Sequence, residues 1–383
     1  MIAVADITTS YDGGFIAQWQ HQNWQQLQLY SRSFSAIQVQ HALQKQQLNL
    51  SDLQTLLSPA AAPFLPQLAN KAQLLTRQRF GRTVQLFAPL YLSNLCANEC
   101  TYCGFSLSQK VKRRTLTTAE VEQECRAIKA MGIDQVLLVS GEHERKVGID
   151  YFCQILPVVR RHFSQVQLEV QPLSTDDYRR LKQAGVDAVM LYQETYNQLA
   201  YQQYHLKGKK SDIHWRIDAP DRVGRAGIDK IGLGILLGLT DWRTDAIILA
   251  QHIRYLQKHY WQSRFSLSVP RIRPCSGGAT VANPISDKEL IQLICAFRLF
   301  APELEISLST RESAQFRQHV VPLAISSISA GSKTQPGGYS VEPENLEQFS
   351  IDDNRSPQQV AEALLRQGLQ PVWKDWEPFL GRA

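Results

Sequence analysis

The chain has 383 residues, 44% hydrophobic and 20% charged, as expected for a soluble globular protein of one large domain with additions or of two domains. Its net charge of +6 is too small to predict nucleic-acid binding, and its longest apolar runs, near 231–239 and 246–250, are too short to span a bilayer. The amino terminus lacks a basic region followed by a long apolar one, so we expect a cytoplasmic protein with no nucleic-acid partner and no membrane partner.

The first 82 residues carry a helical pattern and no chemical motif. Apolar residues recur at spacings of three and four over 17–34, 36–47 and 63–80, among many glutamines. We therefore expect a helical extension over residues 1–82.

From residue 83 short apolar runs alternate with amphipathic helical segments, which is typical of a parallel sheet covered by helices. The predicted strands span 83–92, 135–140, 165–170, 187–192, 230–236, 264–269 and 304–309, with 324–329 as a candidate eighth. We predict an α/β fold in which residues 83–330 form a (β/α)-barrel, complete or partly open. Catalytic groups of such barrels lie at the carboxyl ends of the strands.

The remaining residues, 331–383, contain several prolines and one predicted helix near 357–367, which Gly368 would end. We expect a mostly irregular carboxyl-terminal tail that packs on the barrel.

Three cysteines, Cys96, Cys100 and Cys103, directly follow the first predicted strand. Zinc sites and electron-transfer clusters usually take four protein ligands, whereas three thiolates can hold three irons of a [4Fe–4S] cube and leave the fourth iron open. A structural zinc or cysteine site is the alternative. The total of seven cysteines argues against a disulfide framework, and Cys125 and Cys295 fall in helical patterns as small buried residues.

The spacing Cys-x3-Cys-x2-Cys, with Tyr102 before the last cysteine and Gly104 after it, resembles the signature of the radical S-adenosylmethionine (SAM) enzymes. The resemblance implies two cofactors, SAM and one [4Fe–4S] cluster held by the three cysteines. It also implies a flavodoxin- or ferredoxin-type reductant, whose electron splits SAM into methionine and a 5′-deoxyadenosyl radical. Tyr102 is placed among the cofactor-binding residues.

The same resemblance assigns SAM contacts to later strand ends. Gly141 and Glu142, after the second strand, resemble the element that receives the SAM amino group, although a surface turn with an acid is the alternative. Glu194, after the fourth strand, is placed to bind the ribose or the amino end.

Two further SAM contacts are less specific. Arg216 matches by position the arginine that binds the SAM carboxylate in related enzymes, with Arg222 and Arg225 as nearby competitors. Gly232, within the fifth strand, suits backbone contact with adenine, but a glycine needed only for close packing would look the same.

Downstream segments resemble the aromatic-amino-acid lyases of this family: Gln-Glu-Thr-Tyr (193–196), Val-Pro-Arg-Ile-Arg-Pro (269–274), Ser-Thr-Arg-Glu-Ser (309–313) and Ser-Lys-Thr-Gln-Pro-Gly-Gly-Tyr (332–339). The terminal segment Gly-Leu-Gln-Pro-Val-Trp-Lys-Asp-Trp (368–376) narrows the resemblance to the tyrosine lyases of thiamine biosynthesis.

In that branch an arginine after the seventh strand holds the carboxylate of the amino acid, which implies Arg311 here. Its planar fork suits a carboxylate, and a structural salt bridge with Glu312 or Glu305 is the alternative. Of Arg271 and Arg273, one is expected to assist substrate or SAM and the other to support the barrel mouth. The sequence singles out no partner for the tyrosine phenol.

The implied reaction cleaves the Cα–Cβ bond of L-tyrosine to 2-iminoacetate (dehydroglycine) and p-cresol. Because dehydroglycine hydrolyses readily in water, the resemblance also implies a complex with the thiazole synthase ThiG that consumes it. Two basic segments, 110–114 and 207–210, are expected to be solvated loops and are candidate docking surfaces.

Three alternatives stay open to different degrees. The hydrogenase-maturation tyrosine lyase carries a second cluster on a carboxyl-terminal cysteine motif, but the last cysteine here is Cys295. A tryptophan lyase is harder to exclude, although the terminal motif favours the thiamine branch. A non-catalytic iron–sulfur electron carrier would form no 5′-deoxyadenosine.

Overall fold

A computed structural model describes residues 13–275, 281–340 and 347–375. Its strands are β1 (Thr83–Ser93), β2 (Glu99–Cys100), β3 (Gln135–Ser140), β4 (Gln165–Glu169), β5 (Ala188–Glu194), β6 (His205–Lys207), β7 (Lys230–Ile235), β8 (Arg264–Ser268), β9 (Glu305–Leu308), β10 (Ser327–Ser329) and β11 (Gln370–Val372).

The α-helices are α1 (Gly14–Gln20), α2 (Trp24–Tyr30), α3 (Ala36–Gln44), α4 (Leu50–Leu57), α5 (Leu65–Phe80), α6 (Thr118–Ala130), α7 (Ile149–His162), α8 (Thr175–Gln183), α9 (Gln198–Tyr204), α10 (Ile213–Ile217), α11 (Ala219–Arg225), α12 (Trp242–His259), α13 (Asp287–Phe300), α14 (Ala314–Ala324) and α15 (Pro357–Arg366). Short 3₁₀ turns cover Pro59–Phe64 and Lys209–Ser211.

Eight parallel strands form a closed barrel. They pair in the order β1, β3, β4, β5, β7, β8, β9 and β10, and β10 pairs again with β1, where Gln85 lies opposite Ser327. All six residues of β3 and of β7 are buried, as expected for strands covered by helices outside and side chains inside. The predicted (β/α)-barrel is therefore confirmed, in its complete form.

The amino-terminal helices differ in detail from the prediction. The pattern over 17–34 is two helices, α1 and α2, because the side chain of Asn23 accepts a hydrogen bond from Gln26 N and starts a new helix. Helix α4 lies between the segments that the apolar pattern marked within the predicted helical extension, and it begins with a capping box between Asn49 and Asp52. Helices α4 and α5 pack against α12, α13 and α14 on the outside of the barrel.

The carboxyl-terminal segment returns to the amino end of β1. Strand β11 pairs with β1 on the edge opposite β10, since Gln85 is opposite both Ser327 and Val372. Asp375 accepts a hydrogen bond from Gln85 Nε2 at 2.5 Å. The last residue of the terminal motif, Trp376, lies outside the described residues.

No helix in the described part of the chain is both long enough and apolar enough to cross a membrane.

Candidate active site

The three-cysteine loop lies at the carboxyl end of β1, at the barrel mouth. Cys96 and Cys100 are buried and Cys103 is half-buried, and all three line one cavity. Strand β2 fixes part of the loop, because it pairs with β6 and sets Cys100 opposite His205. Gly141 lets the backbone after β3 lie close to the start of the cysteine loop, since a Cβ at this position would lie 2.4 Å from Leu95 O.

This space, here called the upper cavity, contains about 920 Å³ between atoms, part of it open to solvent, and is comparable to small-molecule sites. Its charged and sulfur-bearing wall includes Cys96, Cys100, Cys103, Glu142, Glu169, Glu194, Lys210, Arg216, Arg273 and Arg311. It continues inward into a lower cavity lined by Phe87, Tyr91, Tyr192, Ser268, Ser307 and Ser332, and both cavities share Glu169 and Arg311.

Three thiols that line one cavity fit the ligand set of an iron–sulfur cube. Within the described ranges no three His, Cys, Asp or Glu side chains converge as ligands of one metal ion would. A [4Fe–4S] cube binds each thiolate at a different iron, so its ligands need not converge on one point. Burial, with a contribution from Glu142, raises the pKa of Cys96 to about 11, so metal binding there must displace a proton.

Glu142 is held in place by two donors. Arg216 Nη1 donates to its Oε1 at 2.8 Å and Asn98 Nδ2 to its Oε2 at 2.7 Å, while Arg216 Nε donates to Tyr192 O. Burial disfavours the Glu142 carboxylate, but Arg216 and Lys210 outweigh it and lower its pKa. The sequence places Glu142 and Arg216 separately, and the structure joins them as an ion pair.

Glu194 is held in an unusual conformation at the end of β5. Its φ of 69° is the one positive φ among non-glycine residues in the described ranges, a left-handed conformation that is common at functional sites. Lys210 Nζ donates to Glu194 Oε1 at 2.7 Å. Beyond it, Asp245 on α12 accepts hydrogen bonds from Thr195 Oγ1 and Tyr196 N, which fixes the following turn.

Tyr102 lies in the wall of the upper cavity, with its hydroxyl 2.6 Å from His205 Nε2. Burial raises the pKa of Tyr102 and lowers that of His205 well below its usual range. Both rings are therefore neutral near pH 7, and the contact orients the loop without adding charge.

Arg311 lies in both cavities without an ion pair to any described residue. Its guanidinium lies 3.5 Å from the centre of the Phe349 ring, and its Nη1 lies 3.5 Å from Arg271 O. The alternative partners considered for Arg311 pair elsewhere: Glu312 with Arg271, and Glu305 with Lys230 at 2.9 Å. Arg311 is thus free to meet a ligand.

The structure places Arg271 and Arg273 in different surroundings. Arg273 lines the upper cavity, and its Nη2 lies 3.5 Å from both Glu312 and Asp352. Arg271 is outside that cavity and pairs with Glu312 and Asp287.

Gly232 does not line either cavity. A Cβ at this position would lie 2.0 Å from Met190 Sδ and 2.9 Å from Ser266 Oγ. Close packing inside the barrel thus accounts for this glycine, and an adenine contact is not needed to explain it. Of the competing arginines, Arg222 and Arg225 pair with Asp218 away from the cavities.

The basic segments are solvated only in part: Lys110, Lys112, Lys207 and Lys209 are exposed, whereas Arg113 and Lys210 turn inward. Arg113 donates to four backbone carbonyls of the cysteine loop region, and Lys210 is in the cavity wall beside Glu194. Cys275, distant in sequence, donates to Tyr102 O at 3.1 Å, so a fourth cysteine does lie beside the loop.

Besides Lys210, sequence reasoning missed Glu169, Gln348 and Phe349. Glu169, the last residue of β4, faces both cavities, and burial raises its pKa to about 7. Its position at the carboxyl end of a predicted strand could have identified it as a candidate site residue. Gln348 and Phe349, from the irregular tail, also line the upper cavity, and Gln348 Oε1 accepts from Tyr91 at 2.8 Å. No local pattern marks these two.

A closed parallel barrel with a three-cysteine loop after its first strand, and with acidic and basic groups at the facing strand ends, defines the class of the radical SAM enzymes.

Comparison with known proteins agrees. The Radical SAM superfamily matches residues 90–249, and the Biotin and Thiamin Synthesis associated domain matches residues 268–370. The 2-iminoacetate synthases of Salmonella typhimurium and Escherichia coli are 57% and 56% identical over 370 residues, which cover 96% of this chain and 98% of each relative. The X-ray structure of the FeFe-hydrogenase maturase HydG from Carboxydothermus hydrogenoformans has a TM-score of 0.86 at 31% identity, covering 94% of this chain and 84% of that one.

The chain belongs to the 2-iminoacetate synthase family of radical SAM enzymes. The resemblance carried by the terminal motif, which points to the 2-iminoacetate synthase ThiH, is confirmed. Membership implies a [4Fe–4S] cluster and SAM as cofactors.

Proposed function

We propose that the chain cleaves the Cα–Cβ bond of L-tyrosine to 2-iminoacetate and p-cresol, with methionine and 5′-deoxyadenosine as co-products, for thiamine thiazole synthesis. The observation that carries the proposal is the 57% identity to the Salmonella 2-iminoacetate synthase over 96% of the chain. The free guanidinium of Arg311, in a cavity shared with the cysteines, supports an amino-acid substrate.

Cys96, Cys100 and Cys103 would hold a single [4Fe–4S] cluster, which supplies the electron that cleaves SAM. Charged and polar groups of the same cavity would bind SAM. Glu142 and Glu194 offer acceptors for its amino group and ribose hydroxyls, while Arg216, Lys210 and Tyr102 also line the upper cavity.

The tyrosine would lie with its carboxylate on Arg311 and its ring in the lower cavity. A bidentate guanidinium–carboxylate contact fixes direction as well as position. The lower cavity combines aromatic walls at Phe87 and Tyr192 with hydroxyl groups. Among these, Ser332 Oγ is buried and has no hydrogen-bond partner in the described ranges, so it is our candidate partner for the phenol.

We further propose handover of 2-iminoacetate to the thiazole synthase ThiG and reduction by a flavodoxin- or ferredoxin-type protein. The first rests on the instability of the imine in water, and the second on the electron that each turnover requires. The division of the chain into an extension (1–82), a barrel (83–330) and a tail (331–383) likewise stays a proposal.

The test is product analysis by chromatography. Protein reconstituted anaerobically with iron and sulfide is incubated with SAM, dithionite and either tyrosine or tryptophan. We expect p-cresol and 5′-deoxyadenosine from tyrosine and no indole product from tryptophan. Absence of p-cresol from a preparation with an intact cluster would refute the proposal, and an indole product would reassign the substrate.

A further inference from the structure

Glu169 is a charged side chain whose role the cluster and SAM contacts proposed above do not explain. It ends β4 inside the barrel and lines the boundary between the upper and lower cavities. The other two carboxylates of the upper cavity are paired, Glu142 with Arg216 and Glu194 with Lys210. The carboxylate of Glu169, unlike its backbone in the β3–β4 ladder, has no hydrogen bond or ion pair with any described residue.

A carboxylate without a partner inside a protein is costly, so such a group is rarely kept for stability alone. The cost is visible here, because burial raises the pKa of Glu169 to about 7. Arg311 is the cation that acts on it most strongly, followed among cations by Lys210 and Arg216. Both Glu169 and Arg311 thus face the same space with their charges unpaired.

A cation and an anion that line the same cavity match the carboxylate and the ammonium group of an α-amino acid. If Arg311 takes the carboxylate of tyrosine, the ammonium group lies one carbon away and needs an anionic partner. Glu169 is the unpaired anion that lines both cavities with Arg311. We infer that Glu169 is a second substrate-binding residue, which accepts the α-ammonium group of tyrosine and takes one proton from it. The inference rests on the proposed tyrosine lyase function.

The proton transfer is a simple exchange. One N–H bond of the ammonium breaks, an O–H bond forms on Glu169, the nitrogen keeps the electron pair, and no electron is gained or lost. The product is a neutral amine, the form whose remaining N–H hydrogens can be removed as atoms. A base that titrates near neutral pH is well matched to this task.

The test measures binding and needs no turnover. Reconstituted protein is loaded with SAM without reductant, and equilibrium dialysis compares three ligands: L-tyrosine, L-phenylalanine, which lacks the hydroxyl, and 3-(4-hydroxyphenyl)propanoate, which lacks the amino group. For Glu169→Gln we expect affinity for both amino acids to fall at least about tenfold, and affinity for the propanoate to stay within about twofold. Glu303→Gln, an exposed residue at the other end of the barrel, is the control.

Several outcomes would overturn the inference. Equal losses for all three ligands, or loss of cluster absorption, would make Glu169 structural. Losses for tyrosine and the propanoate alone would place Glu169 at the phenol. If wild-type protein forms p-cresol while Glu169→Gln binds tyrosine normally, this inference falls and the lyase function stands. If wild-type protein neither binds tyrosine nor forms p-cresol, both fall.

Discussion

The charged side chains of the upper cavity fall into two sets. In the paired set, Glu142 and Glu194 meet Arg216 and Lys210 at 2.8 and 2.7 Å. In the unpaired set, Glu169 and Arg311 have no ion pair with any described residue, and Arg311 stacks on Phe349. The paired set is fixed before any ligand arrives, whereas the unpaired set is completed by the ligand.

This difference separates charges that stabilise the fold from charges that bind the ligand. Removing one member of a buried ion pair leaves the other charge uncompensated and is expected to destabilise the fold. Removing a charge that has no partner costs the fold little but costs the ligand a contact. Substitutions in the paired and in the unpaired set distinguish these two effects.

Cys100→Ala should abolish both the cluster and activity, because two thiolates cannot hold a cube that needs three. The measurements are iron content per chain, visible absorption after anaerobic reconstitution, and 5′-deoxyadenosine formation. Cys153→Ala, a half-buried cysteine outside the cavities, should behave as wild type in all three. A Cys100→Ala protein with normal iron content and turnover would remove the cysteine loop from the site.

Arg216→Met should lower the free energy of unfolding by about 3–5 kcal/mol, because Glu142 is left buried and charged. The cost should shrink as pH falls through the usual carboxyl range, where Glu142 can be buried as the neutral acid. Arg311→Met should lower the same free energy by about 1 kcal/mol or less, the value of its contact with Phe349. Denaturant unfolding under anaerobic conditions measures both, and equal losses would contradict the division between the paired and the unpaired set.

Arg311→Met should instead reduce kcat/KM for tyrosine. A charge-assisted contact contributes about 1.5–3 kcal/mol, which corresponds to a roughly tenfold to 150-fold loss. Arg311→Lys should reduce kcat/KM less than Arg311→Met does, since lysine keeps the charge but not the planar fork. Unchanged kinetics in the methionine variant would remove Arg311 from substrate binding.

Tyrosine affinity should depend on the ionisation of Glu169. Burial raises its pKa to about 7, so the carboxylate that binds an ammonium group is lost as pH falls. Affinity should drop about tenfold between about pH 8 and about pH 6, and the drop should be absent in Glu169→Gln and with the ligand that lacks an amino group. Other groups that act on Glu169 are Arg311, Glu194, Lys210, Arg216, Tyr91 and Tyr192.

The sequence predicted the barrel and the place of the cysteine loop, because apolar strand patterns and the cysteine spacing are local signals. It could not predict which charges pair. Lys210 was read as part of a solvated basic loop, yet it meets Glu194 only because β6 folds against the cysteine loop. Glu169 was overlooked because its role depends on the absence of a partner, which only the assembled barrel reveals.

The most direct test of the account is the origin of the hydrogen in 5′-deoxyadenosine. In deuterium oxide the amino hydrogens of tyrosine exchange with solvent, while its carbon-bound hydrogens do not. If the cavity presents the amino group of tyrosine for cleavage, turnover in deuterium oxide should give p-cresol together with 5′-deoxyadenosine that carries one deuterium at the methyl carbon. Unlabelled 5′-deoxyadenosine from deuterium oxide, with label appearing only from carbon-deuterated tyrosine, would contradict the account.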